Sequence, residues 1–216
     1  MTPELENKFI HPCFWDNWLR YRTGVYYTPI CKGFIDTGTT GESEPTTFVA
    51  ALLSSSLWLL YGIAISDTST IIVNSIGALL QSSYVVTYYI YAIRKSQVLK
   101  YMAAFIVVLL LTLLYLYFDT NPDRKRYHMG LICTFVTIMF FAAPLVTLRK
   151  VIRSRSTRSL PFPIILMTFL SSVQWLIYGF LLGDPFMKIV NVIGTLLSTF
   201  QLSLFVIYRD QPVQAE

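Results

Sequence analysis

The sequence predicts an all-α membrane protein with seven transmembrane helices, arranged as two parallel three-helix repeats joined by a linker helix (3+1+3), with an atypical first helix. Three observations support this fold class. The 216 residues are 54% hydrophobic and only 13% charged, whereas soluble domains carry about 25% charged residues. Apolar segments of spanning length recur along the chain. A set of aromatic and polar residues inside them occurs twice, 117 positions apart.

Six segments have the roughly 20 mostly apolar residues that a spanning helix needs. The first helix is atypical, because Asp16, Arg20, Arg22 and Lys32 interrupt the apolar stretch between residues 9 and 34. Each charge placed centrally costs about 2.5 to 3.5 kcal/mol on insertion scales. We therefore expect any helix there to be short or broken and better formed from about Gly24 onward. Helices two to seven are predicted at residues 46–65, 69–93, 101–118, 129–148, 160–182 and 185–208.

The loop charges predict an orientation. Ten Lys and Arg residues fall on the side reached after helices one and three, against four on the other side. Cytoplasmic loops of membrane proteins carry the excess of basic residues, so the C-terminus is expected in the cytosol. The basic run at residues 149–158 could bind anionic lipid, but the same orientation signal is its simpler interpretation.

The composition also limits the classes of function. Three scattered cysteines and two histidines give no disulfide framework and no metal-binding spacing. No catalytic triad or glycine-rich phosphate loop occurs, so we expect no enzyme activity, no cofactor and no metal. Because the basic residues serve as orientation signals, the net charge of +5 does not indicate nucleic acid as a partner. The expected partner is the lipid bilayer, and assembly into a homo-oligomer is left open.

The internal repeat is carried by residues that chance matching of apolar positions would not favour. WLLYG at residues 58–62 recurs as WLIYG at 175–179. Each unit contains two clear helices plus the element before them, so it has three helices. Because three is odd, the unpaired fourth helix restores the orientation of the second unit, and such parallel repeats occur in transporters with the substrate site at the repeat interface. Further matched pairs are Ser54 with Ser171, Asp67 with Asp184, Asn74 with Asn191, and Gly77 with Gly194.

The matched aromatic and polar residues are the candidate substrate site. Helices two to seven hold almost no ionisable residue, which argues against ion coupling and against a charged substrate. A sugar suits such a lining, because its C–H faces pack on indole rings and its hydroxyls donate to and accept from amides. For a single residue, an interfacial anchor or a helix–helix contact would be the better explanation, but a duplicated set favours binding. The candidates are Ser54, Trp58, Asn74, Ser171, Trp175 and Asn191.

Helix ends carry candidate gates. Proline permits a bend because it removes a backbone hydrogen bond, and four prolines near one end of the first two helices of each unit could hinge a cytoplasmic gate. For two of these, Pro45 and Pro161, helix termination is an equally good explanation. At the outer end, tyrosine rings beside flexible glycines suit a second gate, although tyrosine also anchors at interfaces. The hinge and gate candidates are Pro29, Pro45, Pro144, Pro161, Tyr61, Gly62, Tyr178, Gly179 and Asp184.

Several motifs resemble the SWEET (MtN3/saliva) family of sugar transporters, in its animal branch. SSSLWLLYG and NSIGALLQSSY resemble the first repeat of that family, and AAPL, STRSLPF, SSVQWLIYG and NVIGTLLSTFQL the second. The resemblance implies a facilitative, bidirectional uniporter that moves sugar by alternating access, in the plasma membrane or the Golgi membrane. It adds Thr137 and Phe140 to the pocket, and the bulk of Phe140 favours a monosaccharide, such as a hexose, over a disaccharide.

Residues 1–24 depart from the family pattern. Arg22 and Val25 stand where the pocket positions of the first helix are expected. Either the first helix has diverged, or the segment comes from an altered transcript or gene model, and both explanations stay open. The predicted organisation is a divergent N-terminal segment at 1–24, a first repeat at 25–93, a linker helix at 101–118, a second repeat at 129–208 and a cytoplasmic tail at 209–216.

Two alternatives remain. A PQ-loop amino-acid carrier has the same 3+1+3 plan, but Ile30 and Leu145 follow the prolines where such a carrier has glutamine, and its membrane carboxylates are missing from helices two to seven. A seven-helix receptor is disfavoured by the short loops, by the repeat and by the lack of Asp-Arg-Tyr and Asn-Pro-x-x-Tyr motifs.

Overall fold

The computed structural model describes residues 27–41, 43–157 and 160–208, and within these ranges the chain forms eight α-helices and no β-strand. Expectations for residues 1–24, Arg22, Val25 and the tail at 209–216 fall outside the described residues. The helices are α1 (Tyr27–Thr37), α2 (Thr46–Ile65), α3 (Thr68–Tyr91), α4 (Lys95–Phe118), α5 (Pro122–Phe140), α6 (Ala142–Ser154), α7 (Phe162–Leu182) and α8 (Pro185–Ile207).

Most predicted segments agree with the helices. Among the described residues, α2, α3, α4, α7 and α8 are long and apolar enough to cross a membrane. The ends of α2, α3, α7 and α8 lie within two residues of the predicted ends. Helix α4 begins at Lys95, six residues before its predicted start, because a helix continues into the polar residues next to a membrane where hydropathy no longer marks it.

The predicted fifth helix, at residues 129–148, is wrong as a single uninterrupted element. Helix α5 begins earlier, at Pro122, and the chain turns at Phe141 before α6. Pro144, the third residue of α6, has no N–H to donate to the carbonyl of Phe140, so a continuous helix would lose that hydrogen bond. The N–H of Phe141 instead donates to the carbonyl of Ile138 at 3.0 Å, which tightens the last turn of α5.

The duplication extends to the backbone. When α2 and α3 are shifted by 117 positions, their ends fall within one residue of the ends of α7 and α8. Ser66 and Gly183, at matched positions, both adopt the left-handed conformation that ends a helix, with φ of 56° and 71°. Asp67 and Asp184 then cap the helices that follow. Each repeat therefore contains the same hairpin of two antiparallel helices, joined by a short turn that is capped by an aspartate.

The chain divides into two compact units, Met1–Cys133 and Thr134–Glu216. In the first unit α2 packs along α3, while α1 packs on α3 and α4 on α2. Its core holds an aromatic group in which the rings of Phe34, Phe48 and Tyr88 lie 5.2 to 6.1 Å apart. The hydroxyl of Tyr88 donates to the carbonyl of Ser43, which ties the α1–α2 loop to α3.

In the second unit α7 packs along α8. Its core contains Leu148, Val151 and Ile165, which stand 117 positions after Cys31, Phe34 and Phe48 of the first core. Aliphatic side chains thus replace Phe34 and Phe48, whereas the counterpart of Tyr88, Phe205, is also aromatic and packs on this core.

Candidate functional site

Gly62 of α2 packs directly on the first turn of α3. A Cβ atom on this glycine would lie 2.9 Å from Cγ2 of Thr70 and 3.1 Å from the backbone nitrogen of Ile71. The carbonyl of Gly62 also accepts a hydrogen bond of 3.0 Å from the N–H of Asp67. The absence of a side chain here permits close helix contact, and the gate role of Gly62 stays a prediction.

The second unit repeats this contact. A Cβ atom on Gly179 would lie 3.1 Å from Cβ of Met187 and 3.2 Å from the backbone nitrogen of Lys188. The carbonyl of Gly179 accepts a hydrogen bond of 3.0 Å from the N–H of Asp184. Both repeats therefore lock two antiparallel helices together at equivalent glycines.

Each candidate tryptophan is oriented by a tyrosine of its own helix. The rings of Trp58 and Tyr61 meet edge to face, with centroids 5.5 Å apart, and those of Trp175 and Tyr178 do the same at 5.7 Å. Both tyrosines are buried, Tyr61 completely, and both indoles are half-buried. Residues three apart on a helix are neighbours, so the buried tyrosine fixes an indole that keeps part of its surface open.

The two candidate asparagines hold the same orientation. The Nδ2 of Asn74 donates to the carbonyl of Thr70 at 2.9 Å, and the Nδ2 of Asn191 donates to the carbonyl of Met187 at 2.8 Å. Among the described residues, neither side chain bonds to a neighbouring helix. A carbonyl only accepts, so each amide turns its nitrogen to its own helix, which leaves its Oδ1 and second N–H available to another partner.

Tryptophan and asparagine lie at matched depth within each unit. Trp58 precedes Gly62 by four residues, and Asn74 follows Thr70 by four. Because the helices are antiparallel and touch at Gly62 and Thr70, both side chains lie about 6 Å from that contact along the helix axes. The second unit shows the same arrangement around Gly179 and Met187. The structure thus places one candidate pair at matched depth in each unit.

The candidate serines lie one turn farther along. Ser54 and Ser171 are half-buried, whereas the next residues, Ser55 and Ser172, are buried. The Oγ of Ser172 would lie 2.8 Å from a Cβ atom on Gly194 of α8. Ser172 therefore occupies the helix contact, and Ser171 lies beside it.

Thr137 and Phe140 are half-buried in the last turn of α5, and Phe140 ends that helix. The next residue, Phe141, was not singled out from the sequence. Its ring would lie 3.5 Å from a Cβ atom on Gly194, one turn from Asn191 on α8. The break between α5 and α6 therefore places an aromatic ring against α8, at Gly194.

The hinge candidates lie at the beginnings of helices. Pro45 is the buried N-cap residue of α2, and Pro161 is the exposed N-cap residue of α7. Pro29 and Pro144 are each the third residue of a helix, α1 and α6. Pro45 and Pro161 thus begin helices without interrupting them, and the hinge role of all four stays a prediction.

A polar network absent from the predictions joins α4 to α5. Asp119, 7% exposed, accepts hydrogen bonds from Nε and Nη2 of Arg124 at 2.8 and 2.7 Å, and the Tyr115 hydroxyl lies 2.6 Å from its Oδ2. A carboxylate only accepts, so the single tyrosine proton goes to Asp119, and Nδ1 of His128, 2.7 Å away, donates to the tyrosine oxygen. The guanidinium of Arg124 holds the pKa of Asp119 well below its usual range.

The chain matches the MtN3/saliva family, described as sugar efflux transporters for intercellular exchange, over residues 19–96 and again over 127–213. The chain belongs to this family. The two matches flank α4, as two repeats and a linker require. The members of this family are sugar transporters, not enzymes. The chain is an all-α membrane protein, and five of its described helices are long and apolar enough to span a membrane. This agrees with the 3+1+3 fold class that the sequence predicted, which is the architecture of SWEET transporters.

Known SWEET proteins are similar over most of the chain. The sugar transporter SWEET1 of Drosophila pseudoobscura pseudoobscura is 41% identical over 182 residues, covering 83% of this chain and 80% of the relative. The sugar transporter SWEET1 of Homo sapiens is 37% identical over 155 residues, covering 71% and 70%. A solved eukaryotic SWEET transporter superposes with a TM-score of 0.76 at 26% identity, covering 92% of this chain and 97% of the other. These matches confirm the animal branch.

Proposed function

We propose that this chain is a facilitative, bidirectional sugar transporter, a uniporter that moves a monosaccharide by alternating access. The observation that carries the proposal is the duplicated tryptophan–asparagine pair, held at matched depth and in the same orientation in each unit. The relatives support the substrate class, since they include the sugar transporters named above and the bidirectional sugar transporter SWEET13 of Oryza sativa, which is 31% identical over 201 residues.

Each pair offers a sugar two kinds of contact. The open part of the indole of Trp58 or Trp175 packs on a C–H face of the ring. The Oδ1 of Asn74 or Asn191 accepts from one hydroxyl, and the remaining amide N–H donates to its neighbour. Ser54 and Ser171 add hydroxyls one turn away, and Thr137 and Phe140 form part of the wall.

A hexose is the favoured substrate. Phe140 is half-buried at the end of α5, and the ring of Phe141 approaches α8 one turn from Asn191. Bulky rings at these two positions leave less volume than small residues would, which favours a monosaccharide over a disaccharide.

The distribution of charges supports transport without ion coupling. Within the described part of the five apolar helices, the charged side chains are Lys95, Lys100 and Lys188, all within the first two turns of their helices. Coupled transporters use intramembrane carboxylates as proton or ion sites, so a uniporter fits these helices better than a PQ-loop amino-acid carrier or a receptor.

Gating is proposed at both ends of each repeat. Pro29, Pro45, Pro144 and Pro161 would form the cytoplasmic hinge set, and Tyr61, Gly62, Tyr178, Gly179 and Asp184 the outer set. The excess of loop Lys and Arg on one side supports a cytosolic C-terminus, and the proposal places the protein in a plasma or Golgi membrane. The five-segment organisation and a homo-oligomer stay predictions.

Uptake of a labelled hexose tests the proposal, measured in cells that lack hexose transport of their own. Cells expressing the chain should take up hexose until internal and external concentrations are equal, and should release preloaded hexose equally well. No hexose flux in either direction, from a chain verified at the cell surface, would contradict the proposal, and amino-acid uptake instead would favour the PQ-loop alternative.

A further inference from the structure

We propose that Asp67 and Asp184 are positioning residues, which fix the orientation of the sugar-binding amides of Asn74 and Asn191. Each aspartate acts through the residue between it and the asparagine, Thr70 in the first unit and Met187 in the second. This role rests on the proposed sugar transport, and for Asp184 it is separate from a gate.

In the first unit the connection is continuous. The Oδ2 of Asp67 accepts from the N–H of Thr70 at 2.8 Å and from its Oγ1 at 2.5 Å. Thr70 is fully buried, and its carbonyl accepts the Nδ2 of Asn74 at 2.9 Å. The carboxylate therefore holds the residue whose carbonyl sets the direction of the amide.

In the second unit, hydrogen bonds likewise link the aspartate to the asparagine through the residue between them. Asp184 is fully buried, and its Oδ1 accepts from the N–H of Met187 at 2.9 Å. Met187 is buried, and its carbonyl accepts the Nδ2 of Asn191 at 2.8 Å. Methionine has no hydroxyl to add a second bond to the carboxylate.

Loss of the cap would reach the amide because both carbonyls belong to the first turn of a helix. The N–H groups of that turn have no partner within the helix, and a capping side chain satisfies them. Without the cap the turn frays, the carbonyl of Thr70 or Met187 turns away, and the asparagine loses the contact that directs its Oδ1. Gly62 and Gly179 pack against the same turns from the neighbouring helices. The capped turn is therefore also the place where the two helices of each unit are in closest contact.

Two conservative variants separate the capping role of the carboxylate from a role for its charge. Asparagine caps a helix as well as aspartate does, so Asp67→Asn and Asp184→Asn keep the cap and remove the charge. Glutamate is not a preferred N-cap residue, so Asp67→Glu and Asp184→Glu keep the charge and weaken the cap. Asn121→Ala is the matched control, because Oδ1 of Asn121 accepts from the N–H of Arg124 at 3.1 Å at the start of α5, away from either candidate amide.

The measurement is KM for labelled hexose, with surface amount recorded for every variant. The glutamate variants should raise KM by about 5-fold, from the roughly 1 kcal/mol of a lost cap. Asp67→Asn should keep KM within about 2-fold of wild type, and Asn121→Ala should lower the surface amount at most, with KM unchanged. Glutamate variants with wild-type KM, or asparagine variants worse than glutamate ones, would overturn the positioning role. Absence of wild-type hexose flux would instead refute the proposed function.

Discussion

The side-chain amide of Asn74 donates a 2.9 Å hydrogen bond to the carbonyl of Thr70, four residues earlier on the same helix. Asn191 and Met187 repeat this relationship at 2.8 Å. Because each amide donates one N–H to its own helix, its Oδ1 and its second N–H remain available to another partner. This arrangement occurs in both units, each time at the same depth as a tryptophan that packs on a buried tyrosine. A ligand with adjacent hydroxyls and apolar faces fits that combination.

Removal of either amide should strongly reduce transport. Asn74→Ala or Asn191→Ala should lower hexose flux by about 5- to 160-fold, because a buried sugar hydroxyl left without its partner costs about 1 to 3 kcal/mol. Surface expression should be unchanged, and flux per surface molecule is the measurement. Trp58→Ala and Trp175→Ala should behave alike through loss of the stacking face.

The matched controls for the amide variants are Thr87→Ala and Thr199→Ala. Each threonine hydroxyl donates to the carbonyl four residues earlier, at 2.9 and 2.7 Å, and both bonds are exposed, although Thr87 itself is half-buried. These variants should transport normally. Near-wild-type uptake by both asparagine variants would remove the amides from the site.

Alanine at the two packing glycines should destabilise the protein. A Cβ atom at Gly62 or Gly179 would lie 2.9 or 3.1 Å from the neighbouring helix, and such overpacking costs about 1 to 3 kcal/mol. Thermal unfolding of the purified protein in detergent measures the effect. Gly33→Ala is the control, because no atom lies within 4 Å of the added Cβ and alanine favours a helix. If Gly62→Ala and Gly33→Ala unfold at the same temperature, the close contact is not formed.

Protonation of Asp119 should weaken the α4–α5 network only in strong acid. The pKa of Asp119 is lowered by Arg124, so its contribution to stability is fully present above the unfolded-state pKa, about 3.9, and is lost as pH falls toward the lower folded-state value. The difference in unfolding temperature between wild type and Asp119→Asn should therefore stay constant from about pH 8 to pH 5 and shrink below about pH 4. A difference that vanishes already near pH 6 would show that the carboxylate is not held by Arg124.

The charged opening segment should limit transport. Asp16, Arg20 and Arg22 together cost about 7 to 10 kcal/mol if all three lie centrally in a membrane, so replacement of residues 1–24 by an ordinary apolar first helix should raise flux per surface molecule. A glycosylation tag at the N-terminus reports its side of the membrane. Efficient lumenal glycosylation of the native chain, with unchanged flux after the replacement, would show that the native segment spans normally.

The sequence correctly predicted the helices that are marked by long apolar runs, and it singled out candidate site residues through the internal repeat. Long apolar runs located α2, α3, α7 and α8 to within two residues, and the 117-residue spacing singled out Trp58, Asn74 and their counterparts. The break at Phe141 was missed because a proline near a helix start and a proline inside a helix look alike in one sequence.

Other features depend on contacts between elements. Gly62 was interpreted as a flexible residue. In the structure its lack of a side chain permits close packing of α2 on α3, a contact that the sequence alone does not show. Asp67 matched Asp184 in the repeat but received no role, because capping requires the start of α3 to be known within one residue. The network of Asp119 and Arg124 lies in a turn, where no periodic pattern brings such residues together.

Hexose counterflow in proteoliposomes tests the central claim most directly. Vesicles containing the purified chain, preloaded with unlabelled hexose and with the proton gradient collapsed, receive labelled hexose outside. Wild-type protein should accumulate label transiently and then lose it as the unlabelled gradient decays, while Asn191→Ala should show neither phase. Label that enters only when a proton gradient is imposed, or Asn191→Ala that exchanges like wild type, would contradict the account.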